Sequence, residues 1–183
     1  MMSTALTSRN RPATGIVRVV LIAVALGGIA HSLPARAAAA PIPIDITASH
    51  GQFDNDTGVA TYTGDVVMIR AKLRLKGAHL VIRRHDPKAP ITAVLTGTPA
   101  HMRQDVTPKI KEVVHGTAHT ITYSQAAGTI TLTGNAIVHR GKDLLTAHQV
   151  VYHMANGQIT AQAREGSKKR VHMILHPQGG GGG

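Results

Sequence analysis

Imidazoles are the most abundant groups able to do chemistry in this chain: 12 His stand beside 9 acidic residues and no Cys. A zinc site needs three or four such ligands converging on one point. His115 and His119 are four apart, and along a strand that places them about 13 Å from each other at roughly 3.3 Å per residue. They do not share a zinc ion by themselves. His148 and His153 are five apart and, by simple alternation, face opposite sides of a strand. No H-E-x-x-H and no carboxylate cluster completes a site. No metal is expected, and the imidazoles read as surface or groove-rim groups. Nucleophiles fare no better. Ser49 and Ser124 are the serines of the central region, and neither lies in G-x-S-x-G. No Gly-rich phosphate loop opens a helix. Acids are scattered singly, and Asp54 with Asp56 reads as turn chemistry. The expectation is a protein without enzymatic activity and without a cofactor.

The cations are more suggestive. Arg70, Lys72, Arg74, Lys76, Arg83 and Arg84 form one cluster in sequence, and Lys168, Lys169 and Arg170 a second. Such runs are often a solvated face. The functional reading is attraction to the phosphates of a lipid head group, with Arg70, Lys72 and Arg74 foremost. Nucleic acid is not expected as a partner. Single-strand readers stack bases on aromatics, and Phe53, Tyr62, Tyr123 and Tyr152 are the whole aromatic set.

The elements that position these groups are strands. Ile42, Ile44, Ile46 and Ala48 alternate with Pro43, Asp45 and Thr47. Leu73 and Leu75 alternate with Lys72, Arg74 and Lys76. Ile130 and Leu132 alternate with Thr129, Thr131 and Thr133, and Ile159, Ala161 and Ala163 with Gln158, Thr160 and Gln162. A period of two with one apolar face marks one-sided strands. No amphipathic helix follows residue 40. Turn signals recur at short intervals: Asn55-Asp56-Thr57-Gly58, Thr63-Gly64-Asp65, His85-Asp86-Pro87, Thr96-Gly97-Thr98-Pro99, Thr133-Gly134-Asn135 and Asn156-Gly157. Many short antiparallel strands in a sandwich or roll are therefore expected.

The stretch 58–70 also lines up with 128–140. Gly58, Thr61, Thr63, Gly64 and Arg70 match Gly128, Thr131, Thr133, Gly134 and Arg140. Downstream, Ala78 and His79 echo Ala147 and His148, which reduces the offset from 70 to 69. The repeat implies two similar blocks of strands.

Residues 1–37 read as a signal peptide. Arg9, Arg11 and Arg18 precede an apolar run over 19–30, and small residues follow, allowing cleavage after residue 37 or 40. The run is shorter than the roughly 20 residues of a spanning helix, so export is expected. The exported chain keeps a net charge of +7, which favours anionic partners. Residues 41–177 form the β-domain, and the Gly-rich 178–183 should be a disordered tail.

In order, the blocks resemble the LptA (OstA-like) family of periplasmic lipopolysaccharide-transport proteins. Pro43-Ile44-Asp45-Ile46-Thr47-Ala48 is similar to the family's opening strand. The Gly58 and Gly128 blocks resemble its G-x-x-x-x-x-G-x-V element. Thr96-Gly97-Thr98-Pro99-Ala100, the segment from Gly116 to Tyr123, and Lys169-Arg170-Val171 resemble its central and closing elements. The resemblance spans nearly the whole exported chain. It implies an open, slightly twisted β-jelly roll of two antiparallel sheets with a V-shaped groove. It also implies acyl chains of lipopolysaccharide in that groove and head-to-tail self-association. The partners implied are an LptC-like inner-membrane component and an LptD-like outer-membrane component. By matching positions, Ile44, Met102 and Tyr123 fall where relatives contact lipopolysaccharide, Met102 standing where an aromatic is more usual.

Burial supports such a role, since each CH₂ of a lipid removed from water contributes about 0.8 kcal/mol. Two alternatives share the same residues. One is an inner-membrane-anchored, LptC-like component, and the other is a basic periplasmic adaptor that binds an anionic envelope polymer.

Overall fold

A computed structural model describes residues 42–86 and 88–176. The expected signal peptide and Gly-rich tail lie outside the described residues. Ten strands follow in order: β1 (Asp45–Thr47), β2 (His50–Asp54), β3 (Val59–Arg70), β4 (Leu73–Arg83), β5 (Thr92–Gln104), β6 (Val114–Ser124), β7 (Thr129–Arg140), β8 (Asp143–His153), β9 (Ile159–Gln162) and β10 (His172–Ile174). All pairings are antiparallel, and β3 to β8 form a meander in sequence order.

The two layers expected from the sequence are the two halves of one hydrogen-bonded sheet. Each central strand runs 11 to 13 residues and is interrupted near its middle. The register shifts fall at Thr63/Val66, Lys76/His79, Thr96/Ala100, Thr117/Thr120 and Thr133/Ala136. Bulges bend strands, and this row of bulges is the line along which the sheet folds over. Wall I holds β1, the second half of β3, the first half of β4, and so on to β10. Wall II holds β2, the complementary halves, and β9. Three of the six turn signals are thus bends inside strands. Gly64 and Gly134 have φ of +79° and +83°, and Asp65 and Asn135 follow at +46° and +50°. Consecutive left-handed residues suit a bulge as well as a tight turn, so the same residues fit both readings.

The repeat is structural. The pairs Tyr62↔Leu80 and Val66↔Gly77 recur as Leu132↔Val150 and Ala136↔Ala147. The offset therefore stays at 70 through both hairpins, and the expected fall to 69 is wrong. The bulge also resets alternation in β8. Ala147, Val150 and Tyr152 are buried, so His148 and His153 both point away from the core instead of to opposite sides.

Inward-facing side chains from both walls form one core cluster. Wall I contributes Met68, Leu75, Met102, Ala118 and Val138, and wall II Leu80, Leu95, Ile121, Ile130 and Leu132, each at most 2% exposed. The walls interlock where a side chain is missing. A Cβ added at Gly116 in wall I would lie 2.5 Å from Leu132 Cδ2 of wall II.

Candidate functional site

The space between the walls is a trough with a closed spine at the bulges, a mouth opposite, and two ends at the sheet edges. Its lining follows from alternation along β3 to β8, since every second residue faces inward. The mouth is crossed at two places. Arg70, at the wall I end of β3, donates from Nη1 to the Tyr123 hydroxyl of wall II at 2.7 Å. Its guanidinium carbon also lies 5.7 Å from the centre of that ring. The second crossing is the loop 105–113 between β5 and β6. Mutual backbone hydrogen bonds between Thr107 and Ile110 fold it back on itself. Ile110 is thereby buried, beside Gly157 of the β8–β9 turn.

The mouth is also where polar groups enter the apolar lining. Burial pushes the Tyr123 phenol above its ordinary value, and the charge of Arg70 partly offsets this. Tyr152 behaves alike, with Arg140 supplying the opposing charge. Arg140 is the repeat counterpart of Arg70 and lies 3.9 Å from both Glu112 and Asp143. The Arg70 Nε and the Tyr152 hydroxyl are buried and make no hydrogen bond among the described residues.

The expected lipid-contact residues fall on this lining. Tyr123 is fully buried in wall II, and Met102 is 2% exposed in wall I between Leu75 and Gly116. Ile44 is half-buried at the wall I edge and packs on the core with Ile46 and Ala48. The structure brings Tyr123 together with Arg70, which sequence spacing did not connect. The basic cluster, conversely, comes apart. Arg70 turns into the mouth, and Lys72 sits in the β3–β4 turn, where its carbonyl accepts from the Asp105 amide. Arg74 and Lys76 are exposed on the outer surface of wall I, while Arg83 ends β4 in wall II. One patch of six cations does not exist, because alternation, the turn and the bend separate its members. The expected turn role of Asp54 holds: its Oδ1 accepts from the amides of Thr57 and Asp56 at 3.2 and 2.9 Å, and these bonds, those of Thr57 above all, lower its pKa.

Both ends of the trough are open among the described residues. Among the described residues, β1 and β2 have no strand on their outer side, and neither have β9 and β10. Phe53 of β2 pairs with buried Ala60 and so faces the trough, yet is 54% exposed. Met173 of β10 pairs with buried Leu145 and is 48% exposed. Sequence reading missed both, although Phe53 is the one phenylalanine in the chain.

Residues 45–158 match the family model described as LptA/(LptD N-terminal domain) LPS transport protein. The chain belongs to this family. Among curated relatives it is 28% identical over 142 residues to the lipopolysaccharide export system protein LptH of Pseudomonas aeruginosa, covering 74% of this chain and 80% of that one. It is 26% identical over 137 residues to the lipopolysaccharide export system protein LptA of Haemophilus influenzae, covering 74% and 77%. The crystal structure of LptH from Pseudomonas aeruginosa, the LptA-homologous periplasmic component of the lipopolysaccharide transport device, superposes with a TM-score of 0.67 at 26% identity. That match covers 74% of this chain and 96% of that chain. The likeness of fold matches the folded-over, unclosed sheet described above.

Proposed function

We propose that this LptA-family chain is a periplasmic carrier that moves lipopolysaccharide from the inner to the outer membrane. It acts without catalysing a reaction. Acyl chains lie between the two walls, and copies join head to tail, with β1 and β2 of one against β9 and β10 of the next. LptC-like and LptD-like components of the same fold receive the two ends. The observation that carries the reading is the apolar lining that continues to unpaired edges and ends in exposed Phe53 and Met173. A core that served stability alone would be covered at its ends. Backbone addition at a free edge supplies affinity, and matched apolar ends supply a continuous path.

The walls meet in the middle of the trough, so loading requires them to part. Ile44, Met102 and Tyr123 then touch the acyl chains, and Arg70 exchanges the Tyr123 hydroxyl for a head-group oxygen. Mass spectrometry of lipid co-purifying with the exported protein tests the reading. Lipopolysaccharide bound in near-stoichiometric amount is expected. A protein that emerges lipid-free, and stays so when incubated with lipopolysaccharide, would overturn it.

A further inference from the structure

The two outer surfaces of the folded sheet differ sharply. In wall I the cross-strand ladder reads Ile69↔Arg74↔Arg103↔His115↔His139↔Leu144. The parallel ladder nearer the spine reads Val67↔Lys76↔His101↔Thr117↔Ile137↔Thr146. Arg74, Lys76, His101, Arg103, His115 and His139 are all exposed and occupy neighbouring positions on four adjacent strands. At about 4.8 Å per strand they cover a patch about 14 Å across. Three acids lie at its margin. Asp45 of β1 heads the first ladder, beyond Ile69. Asp105 bonds Arg103 Nε at 2.7 Å, and Asp65 shares a shallow depression with Lys76 and His101. Arg103 Nη1 lies 3.3 Å from His115 Nε2. Aliphatic residues flank the patch: Val67 and Ile69 on one side, Ile137 and Leu144 on the other.

The middle of wall II places threonine where wall I places charge, while its mouth-side ladder, Asp54↔Val59↔Arg83↔Thr92↔Ser124↔Thr129↔His153, holds single, separated charges. Its ladder Thr61↔Val81↔Val94↔Thr122↔Thr131↔Val151↔Thr160 holds no ionisable group. The next, His50↔Thr63↔His79↔Thr96↔Thr120↔Thr133↔Gln149↔Gln162, holds two imidazoles and no Lys, Arg or acid. Like charges directly opposite across strands destabilise a sheet, and wall II shows that the fold manages without them.

We propose that the outer face of wall I is a docking surface for a phosphate-bearing lipid bilayer. A flat grid of cations matches the charge of an anionic leaflet. The aliphatic flanks suit the head-group boundary, where apolar side chains sit beside basic ones. A second depression on this face, lined by Ile137, Thr146, His148, Arg164, Lys169 and Arg170, adds further cations beside the patch. The trough is not involved, so lipopolysaccharide loading and bilayer docking are separable.

The test is co-sedimentation of the full exported chain with vesicles of phosphatidylcholine alone or mixed with phosphatidylglycerol. Binding to the anionic vesicles only, weakening as salt rises, is expected. The variant R74Q/K76Q/R103Q should lose about tenfold or more in partitioning. R83Q/R84Q/K88Q, which removes the same charge elsewhere, should lose less than twofold. R74T/R103T, which copies wall II, guards against a folding artefact. Its unchanged melting curve with lost binding supports the proposal. Equal loss in the R83Q/R84Q/K88Q control would assign the effect to net charge and overturn it. So would equal binding to neutral vesicles, or tighter binding to polyglutamate than to anionic vesicles. Lipopolysaccharide bound per chain is read by mass spectrometry on the same samples and should not change.

Discussion

Arg70 of one wall and Tyr123 of the other are joined by a 2.7 Å hydrogen bond across the mouth of the trough. They are 53 residues apart in the chain and belong to strands that do not pair. Tyr123 is wholly buried, and the neighbouring Arg70 Nε has no partner among the described residues. The bond therefore ties the walls together while leaving a buried donor free for another oxygen.

Replacing Tyr123 by Phe keeps the ring and removes the acceptor. A loss of about 1–2 kcal/mol is expected, because a charged donor is left without its partner. Denaturant unfolding reads the loss as a lower midpoint at unchanged slope. The same variant should take up lipopolysaccharide faster, since one tie between the walls is gone. Slower uptake would show that the bond does not hold the mouth closed.

Gly116 of wall I lies against Leu132 of wall II with no room for a Cβ between them. Gly116→Ala should cost about 1–3 kcal/mol by overpacking against the Leu132 side chain. Adding Leu132→Ala should recover part of that cost, a coupling that a double-mutant cycle measures. Strictly additive losses would mean that the walls are not in contact there.

Burial raises both the Tyr123 and the Tyr152 phenols above the ordinary value of 10.0. The folded state thus holds these protons more tightly than the unfolded state does. The sign follows directly: this contribution to stability is complete below pH 10.0 and is lost as pH rises through the higher folded values. Tyrosinate absorbance from these two residues should appear together with loss of β-sheet circular dichroism. Full titration with the sheet intact would contradict their burial.

Phe53 and Met173 are exposed, so Phe53→Asp and Met173→Asp should change thermal stability little, by about 0.5 kcal/mol or less. Each should weaken head-to-tail assembly by placing a charge where two apolar trough ends meet. Sedimentation velocity over a concentration series reads this as a shift from oligomers to monomers. Oligomers undiminished in both variants would place the contact elsewhere.

Alternation made the one-sided strands and the apolar inner face readable before the fold was known, and Leu73, Leu75, Ile130 and Leu132 are buried as expected. The bends were not readable as bends. Gly64-Asp65 and Gly134-Asn135 carry the left-handed preference of a hairpin turn, so six long strands looked like many short ones. Each bulge that resets alternation also reassigns faces downstream, which is why His148 and the cation cluster were misplaced. Of the trough lining, Tyr123 and Met102 were reachable through family resemblance. The Arg70–Tyr123 contact and the Ile110 crossing were not, because they join segments across the fold and leave no period in the chain. Arg140 alone carried a signal, through its repeat relation to Arg70.

The central claim is that acyl chains lie between the walls. Photo-crosslinking amino acids at Met102 and Tyr123, which face inward, and at Thr122 and Thr131, which face outward on wall II, test it directly in the presence of lipopolysaccharide. Strong capture at the inward pair and background capture at the outward pair is the predicted result. Capture at the outward pair equal to or above that at the inward pair would contradict it.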